Sequence, residues 1–370
     1  MSQKTFFSPA YDSINQLDVY QAGKTVDELK REYDVNNVLK LASNENALGS
    51  SPHVTLAITE QLGHLARYPD CRGDELKLAI AQLTDRKRSQ ITLGNGAIDL
   101  MQIIAHSFVA PDEAIIYSQY AFFVFPMLAK IVGARGVEVP AKRYAHDLDA
   151  MLEAVKQTPN TRLVFIANPN NPTGTLLSQQ QIHNFVANIP EQVLVVLDEA
   201  YIEYCPESDN SALLDAFDNV IIVRTFSKAY GLASLRIGYA LSHSQIAEVL
   251  NRVRLPYNVN ALAQSAAIAA LEDQDFIAKV YKINHGQMRW VCKQFDALGL
   301  DFMPSYASFV MVNAASVGDV DAIYEGLLQQ GVIVRSLRSY GLEGWLRITV
   351  GTPEDNTRLI DTLRDVLESL

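Results

Sequence analysis

Lys228 lies in Thr225-Phe226-Ser227-Lys228-Ala229-Tyr230-Gly231-Leu232-Ala233-Ser234-Leu235-Arg236, directly after the apolar run Val220–Thr225. A lone Ser-Lys pair after a strand reads as a surface lysine. At the carboxyl end of a strand, however, a lysine sits where open α/β sheets bind ligands, and its amine can attack a carbonyl. Two more apolar runs end in residues of complementary chemistry. Val193–Leu197 leads into Asp198-Glu199-Ala200-Tyr201, and Leu163–Ala167 leads into Asn168-Pro169-Asn170-Asn171-Pro172-Thr173-Gly174. A carboxylate at the end of a buried strand is costly without a cation, so Asp198 calls for a partner such as a protonated ring nitrogen; the plain alternative is a helix N-cap. Asn171, fixed between turn residues, can donate to a phenolic oxygen, as can Tyr201; the plain alternative for the asparagine is a turn.

A fourth stretch, Gly94-Asn95-Gly96-Ala97-Ile98-Asp99, joins a strand at Gln90–Leu93 to a helical pattern over Ile98–Phe108. A glycine turn feeding a helix N-terminus is an anion cradle. G-x-G alone is weak, and Asp99 stands where a dinucleotide fingerprint needs glycine. Ser227 and Arg236 can bring a hydroxyl and a guanidinium to the same phosphate.

For these residues to meet, their runs must be neighbouring strands. Gln90–Leu93, Ala114–Tyr117, Gly136–Val139, Leu163–Ala167, Val193–Leu197 and Val220–Thr225 alternate with helical segments. That alternation predicts an α/β fold with a mostly parallel sheet between helices. Beyond Ser242 the pattern is helical, with one long segment over Ala261–Ala297. Strands at Ser308–Asn313, Val332–Ser336 and Trp345–Val350, with helices at Asp319–Gln330 and Pro353–Leu370, predict a small α+β domain. Near the N-terminus, Thr25 with Glu28 predicts a capped helix over Thr25–Tyr33 in an arm packed beside that domain. The expected division is 1–40 as arm and start of the small domain, 41–270 as the large domain, and 271–370 as the C-terminal small domain.

Composition bounds the chemistry. The 370 residues exceed one ordinary core, and a net charge of -11 disfavours nucleic-acid and anionic-membrane partners. Cys71, Cys205 and Cys292 form no C-x-x-C pair, so neither a metal site nor a disulfide framework is expected. The N-terminus lacks a signal-peptide pattern, and the longest apolar stretch, Tyr120–Ala134, is broken by Pro126 and Lys130 and too short for a bilayer. A cytoplasmic location is the expectation.

The ordered set N-P-N-N-P-T-G, D-E-A-Y, S-K-A-Y-G-L-A-S-L-R and the late L-R-I-T-V-G resembles the class I and II aminotransferases of fold type I, over nearly the whole chain. Tyr20 with Gly23 and Lys24, Leu41-Ala42-Ser43-Asn44-Glu45-Asn46, Arg67-Tyr68-Pro69, Arg254-Leu255-Pro256-Tyr257-Asn258-Val259-Asn260 and Val334-Arg335 are similar to the histidinol-phosphate aminotransferase branch of that family. The chain departs from the pattern at Val19, Ala22 and Ala47, which replace prolines, and at Ile98, which replaces an acidic residue.

The resemblance implies a large domain with a mostly parallel seven-stranded sheet sandwiched by helices, a small α+β domain, and pyridoxal 5'-phosphate as cofactor. It implies Lys228 as Schiff-base lysine and proton carrier, Asp198 on the pyridine nitrogen, and Asn171 and Tyr201 on the ring oxygen. Gly96, Ala97, Ile98, Ser227 and Arg236 would surround the phosphate. Tyr120 is the aromatic expected to stack on the ring, with Phe123 the alternative, and Tyr68 would reach the phosphate from the other subunit of a homodimer. Tyr20, Asn46, Arg335 and Arg347 are expected on the substrate. The implied reaction is reversible transamination between L-histidinol phosphate and 2-oxoglutarate, giving imidazole-acetol phosphate and L-glutamate in histidine biosynthesis. One substrate ends in phosphate and the other in carboxylate, and guanidinium groups bind either. Alternatives on the same scaffold are an aromatic or broad-specificity aminotransferase, a lyase or decarboxylase, and a catalytically silent ligand-binding module. The intact set Lys228, Asp198, Asn171 and Arg236 weighs against the last.

Overall fold

The structure is a computed structural model that describes residues 11–17, 19 and 23–370. Tyr20 lies outside the described residues. After β1 (Leu39–Lys40) come β2 (Ile91–Gly94), β3 (Ala114–Ser118), β4 (Arg135–Val139), β5 (Thr161–Ala167), β6 (Leu194–Asp198), β7 (Val220–Thr225) and β8 (Gly238–Ser242). These last seven form one sheet in the order β2-β8-β7-β6-β5-β3-β4. Only β8 runs antiparallel to its neighbours; the other pairings are parallel.

The apolar runs are continuous because both sheet faces are covered. Val164 and Ile166 of β5 enter one hydrophobic cluster with Val195, Leu197, Val220 and Ile222. Leu163 and Phe165 enter the other, with Val196, Ile221 and Val223. Successive side chains point to opposite faces, so the apolar side chains of a central strand serve both. Only β4 at the edge carries exposed charge, at Arg135 and Glu138, which discourages pairing with another chain.

β8 escapes the sequence reading because Gly-Tyr-Ala-Leu-Ser is short and follows the lysine loop with no helix between. The helical pattern over 261–297 is two helices, Ala261–Glu272 and Gln274–Ala297. Asp273 divides them by capping the second: one carboxylate oxygen accepts from the Phe276 N–H at 3.1 Å, the other from Ser51 Oγ at 2.5 Å.

The C-terminal strands are β9 (Asp301–Met303), β10 (Phe309–Asn313), β11 (Val332–Ile333), β12 (Arg335–Ser336) and β13 (Trp345–Thr349). The single strand expected over 332–336 is therefore split. Its first half pairs parallel with β1, and its second half joins an antiparallel sheet in the order β12-β13-β10-β9. The helix Val26–Tyr33 begins at Thr25 with the reciprocal bonds to Glu28 that the sequence predicts. Its Leu29 packs with Ala42, Leu328 and Ile333, which fastens the N-terminal segment to the C-terminal unit. Among the described residues no helix is long and apolar enough to cross a membrane.

Candidate active site

Parallel pairing in register brings the ends of β5, β6 and β7 to one edge, with Ala167 opposite Asp198 and Asp198 opposite Val223. The turns after these strands therefore deliver Asn171, Tyr201 and Lys228 to a single cleft, whose wall also includes Asn44, Ile98, Phe123, Arg335 and Arg347.

Lys228 Nζ donates to Ser43 O at 3.1 Å and lies 5.7 Å above the Tyr201 ring. Desolvation, then the guanidinium groups of Arg347 and Arg236, lowers its pKa to about 8, against the pull of Glu45 and Asp198. Asp198 is buried at the end of β6, and desolvation pushes its carboxyl up to about 7, only partly offset by the Ala200 N–H and Lys228. No Lys, Arg or His forms an ion pair with it among the described residues. Tyr201 is buried, its phenol held by Asn44 Nδ2 at 2.8 Å and its pKa pushed up to about 12, first by desolvation. Arg347 Nη1 donates to Asn171 Oδ1 at 2.5 Å, which leaves the amide nitrogen as the end able to donate into the cleft.

The glycine turn forms a cradle beside this group. The helix Ala97–Phe108 starts after Gly96, whose φ of 90° is open to glycine and strained for other residues. A Cβ on Gly96 would sit 2.5 Å from Arg236 Nη2. Arg236 Nη1 donates to Ser227 Oγ at 3.2 Å and to Ala233 O at 2.9 Å, so hydroxyl, guanidinium and helix N-terminus converge. Gly238, at the start of β8, lets that strand abut the turn: a Cβ there would lie 3.0 Å from the Ala97 nitrogen. Ile98 needs no acidic side chain for this, because backbone N–H groups form the cradle.

Arg335 and Arg347 are direct partners across the antiparallel β12–β13 pair. Like charges facing across a sheet repel, and an anion between them removes that cost. Arg347 is buried and its Nη2 donates to Ala42 O at 2.8 Å, so it stands fixed.

Two expectations meet a different geometry. Tyr120 is outside the cleft lining, which Phe122 and Phe123 supply. Its backbone turns left-handed at φ 56°, its carbonyl accepts from Asn170 Nδ2 at 2.9 Å, and its ring packs 5.8 Å from Tyr144. Of the two aromatics expected at the ring, only the alternative, Phe123, lines the cleft. Asn46 also falls outside the cleft: its Nδ2 donates to Ala229 O at 2.8 Å and its Oδ1 accepts from the Leu48 N–H at 3.0 Å, so it braces two loops. Asn44, two residues earlier in the same Leu-Ala-Ser-Asn-Glu-Asn stretch, takes the cleft position. Tyr68 is 82% exposed, stacked on Tyr257 at 4.6 Å, and absent from its own chain's cleft. Gly23, part of the matching N-terminal stretch, and Tyr340, which nothing in its local sequence marks, also line the cleft.

Comparison with known proteins shows the family. Residues 36–363 match the family model for aminotransferase class I and II. The chain is 62% identical to histidinol-phosphate aminotransferase 1 of Psychrobacter arcticus over 97% of this chain and 95% of that one. It is 49% identical to histidinol-phosphate aminotransferase 1 of Nitrosococcus oceani over 100% and 99% of the two chains. Among solved structures, histidinol-phosphate aminotransferase from Sinorhizobium meliloti in complex with pyridoxal-5'-phosphate matches with a TM-score of 0.91 at 30% identity, over 99% of this chain and 100% of that one.

Proposed function

The chain belongs to the class I and II aminotransferases, and on that premise we propose that it transfers the amino group of L-histidinol phosphate to 2-oxoglutarate, with pyridoxal 5'-phosphate as cofactor. The products are imidazole-acetol phosphate and L-glutamate, a step of histidine biosynthesis. The observation that carries this reading is Lys228 in a cleft lined by Asn171, Tyr201, Arg335 and Arg347, with the anion cradle entering at Ile98 and the buried carboxylate of Asp198 coupled to the lysine electrostatically.

Two features make these residues fit the cofactor. Asp198 is a desolvated carboxylate that a protonated pyridine nitrogen would pair, and a Cβ at Gly96 would fill the space against Arg236 that a phosphate needs. Gly96, Ala97, Ile98, Ser227 and Arg236 would hold the phosphate, Asn171 and Tyr201 the ring oxygen, and Phe123 a ring face. When bound, the cofactor supplies the electron sink that stabilises negative charge at the substrate's α-carbon. Lys228 Nζ, with a pKa near 8, is partly unprotonated at neutral pH and serves as nucleophile, then as the base that takes up and returns the α-carbon proton. Asp198 would be held ionised by pairing with the protonated ring nitrogen. Arg335 and Arg347 bind the phosphate of one substrate and the carboxylate of the other.

The large unit, 41–270, would hold the cofactor, and 1–40 with 271–370 the substrate's anionic end. A homodimer completes the site, Tyr68 of a second copy reaching the cofactor phosphate, which explains an aromatic side chain left so exposed. Free thiols at Cys71, Cys205 and Cys292 suit a cytoplasmic location.

Loading the purified chain with pyridoxal phosphate tests the reading. A visible absorbance band is expected, lost on adding histidinol phosphate, restored by 2-oxoglutarate and little affected by phenylalanine. Absence of the band, or its persistence in Lys228→Ala, would refute the assignment of Lys228. Faster loss with phenylalanine would refute the substrate.

A further inference from the structure

The anion cradle and the exposed Tyr68 are distant in sequence, yet the segment 254–258 is bonded to both. Asp99 Oδ2 accepts from the Asn95 N–H at 2.7 Å and from Asn258 Nδ2 at 3.0 Å. Asn258 Nδ2 also reaches Leu93 O at 3.4 Å, so this one side chain touches the end of β2 and the first turn of the cradle helix. Its Oδ1 accepts from Arg254 Nη1 at 2.7 Å, and Arg254 Nη2 donates to Cys71 O at 2.7 Å. Gln264 Nε2 adds a bond to Asp70 O at 2.9 Å. Between Arg254 and Asn258 stands Tyr257, left-handed at φ 58°, its ring stacked on Tyr68. A non-glycine residue keeps that backbone state only where its surroundings impose it. Leu65 and Leu255, close in sequence to the two tyrosines, are exposed as well.

We propose that Asp99, Asn258 and Arg254 form a positioning relay through which anion binding in the cradle and association with a second copy of the chain reinforce each other. The inference rests on the reading that Tyr68 enters the second copy's site. An anion drawn to the N–H groups of Gly96, Ala97 and Ile98 fixes the turn. Asp99 holds the neighbouring Asn95 N–H and passes that order to Asn258. Arg254 then fixes the 68–73 loop, and the Tyr68–Tyr257 pair docks with less conformational entropy left to lose. Linkage makes the effect reciprocal, so the second copy raises the cradle's affinity by the factor by which the anion strengthens the dimer. Asp99 touches no reacting atom; its carboxylate is held by the Asn95 N–H and Asn258 Nδ2.

The test is subunit exchange between two differently labelled populations of the full chain without cofactor, with inorganic phosphate as the probe. Phosphate is expected to slow exchange about 5- to 10-fold in the native chain, within the usual range of allosteric coupling. Asp99→Ala and Asn258→Ala should each reduce that slowing below about 2-fold while leaving exchange without phosphate nearly unchanged. Asn258→Ala keeps the Asp99–Asn95 bond and guards against a variant that fails to fold. A phosphate effect retained in both variants overturns the relay, as does a native chain whose exchange ignores phosphate. Failure of the aminotransferase reading is a separate result, seen in the Lys228→Ala spectrum.

Discussion

Burial moves the titrations of Asp198 and Lys228 toward each other, to about 7 and about 8. Both shifts cost the cofactor-free chain stability, in different pH windows. The Asp198 carboxyl binds its proton more tightly folded than unfolded, so stability falls as pH rises from the ordinary 3.8 toward 7 and stays reduced above it. The Lys228 ammonium releases its proton more readily when folded, so its penalty is complete below about 8 and fades as pH rises toward 10.5. A ring nitrogen opposite Asp198 and a covalent bond at Lys228 would remove both costs, which ties function to local instability. Asp198→Asn should therefore stabilise the cofactor-free chain at pH 8 by about 2–4 kcal/mol, the gain shrinking toward pH 4. Urea unfolding at the two pH values checks this, and a variant less stable at pH 8 would show that Asp198 has a cationic partner already.

At the scale of elements, the cradle is a junction of the helix Ala97–Phe108, the start of β8 and the loop carrying Arg236. Its tolerance is set by Gly96, where a methyl group meets both a strained φ of 90° and the guanidinium at 2.5 Å. Gly96→Ala is expected to cost about 1–2 kcal/mol of stability and to weaken pyridoxal phosphate binding by about 10²-fold, because Arg236 must leave the cradle. Titrating the cofactor by absorbance measures this; unchanged affinity would mean that the phosphate sits elsewhere. The same junction shows what sequence can carry. Asp198, Asn171 and Lys228 were legible because each follows a strand buried on both faces, whose unbroken apolar run marks its own end. Asn44, and the facing of Arg335 with Arg347, were not, since they depend on pairing between segments some 300 residues apart or on strand register. Phe123 lines the cleft and Tyr120 does not: the left-handed residue at 120 packs its ring on Tyr144, and backbone handedness at a tyrosine has no sequence signal.

At the scale of the whole molecule, the cleft draws on both ends of the chain: Asn44 from the N-terminal side, Lys228 from the large sheet, and Arg335 and Arg347 from the C-terminal sheet. Tyr68 stands on the outside of its own chain, so on the proposed reading, in which it reaches the cofactor phosphate, a complete site would need a second copy. A closed two-fold dimer has two such sites, each built from the lysine of one copy and the tyrosine of the other. That geometry makes a prediction no single-chain site would share. Lys228→Ala removes the nucleophile from its own copy's site, and Tyr68→Ala removes a contact from its neighbour's. When the two variants are mixed and allowed to exchange, a mixed dimer carries both lesions in one site and neither in the other. Random pairing makes about half the dimers mixed, so about one quarter of all sites regain the full set of groups. Transaminase activity at limiting cofactor should therefore rise toward that fraction of the native value, although Lys228→Ala alone gives none and Tyr68→Ala alone gives little. If mixing yields only the average of the two separate preparations, each site is complete within one chain, and the exposed tyrosine serves some other contact.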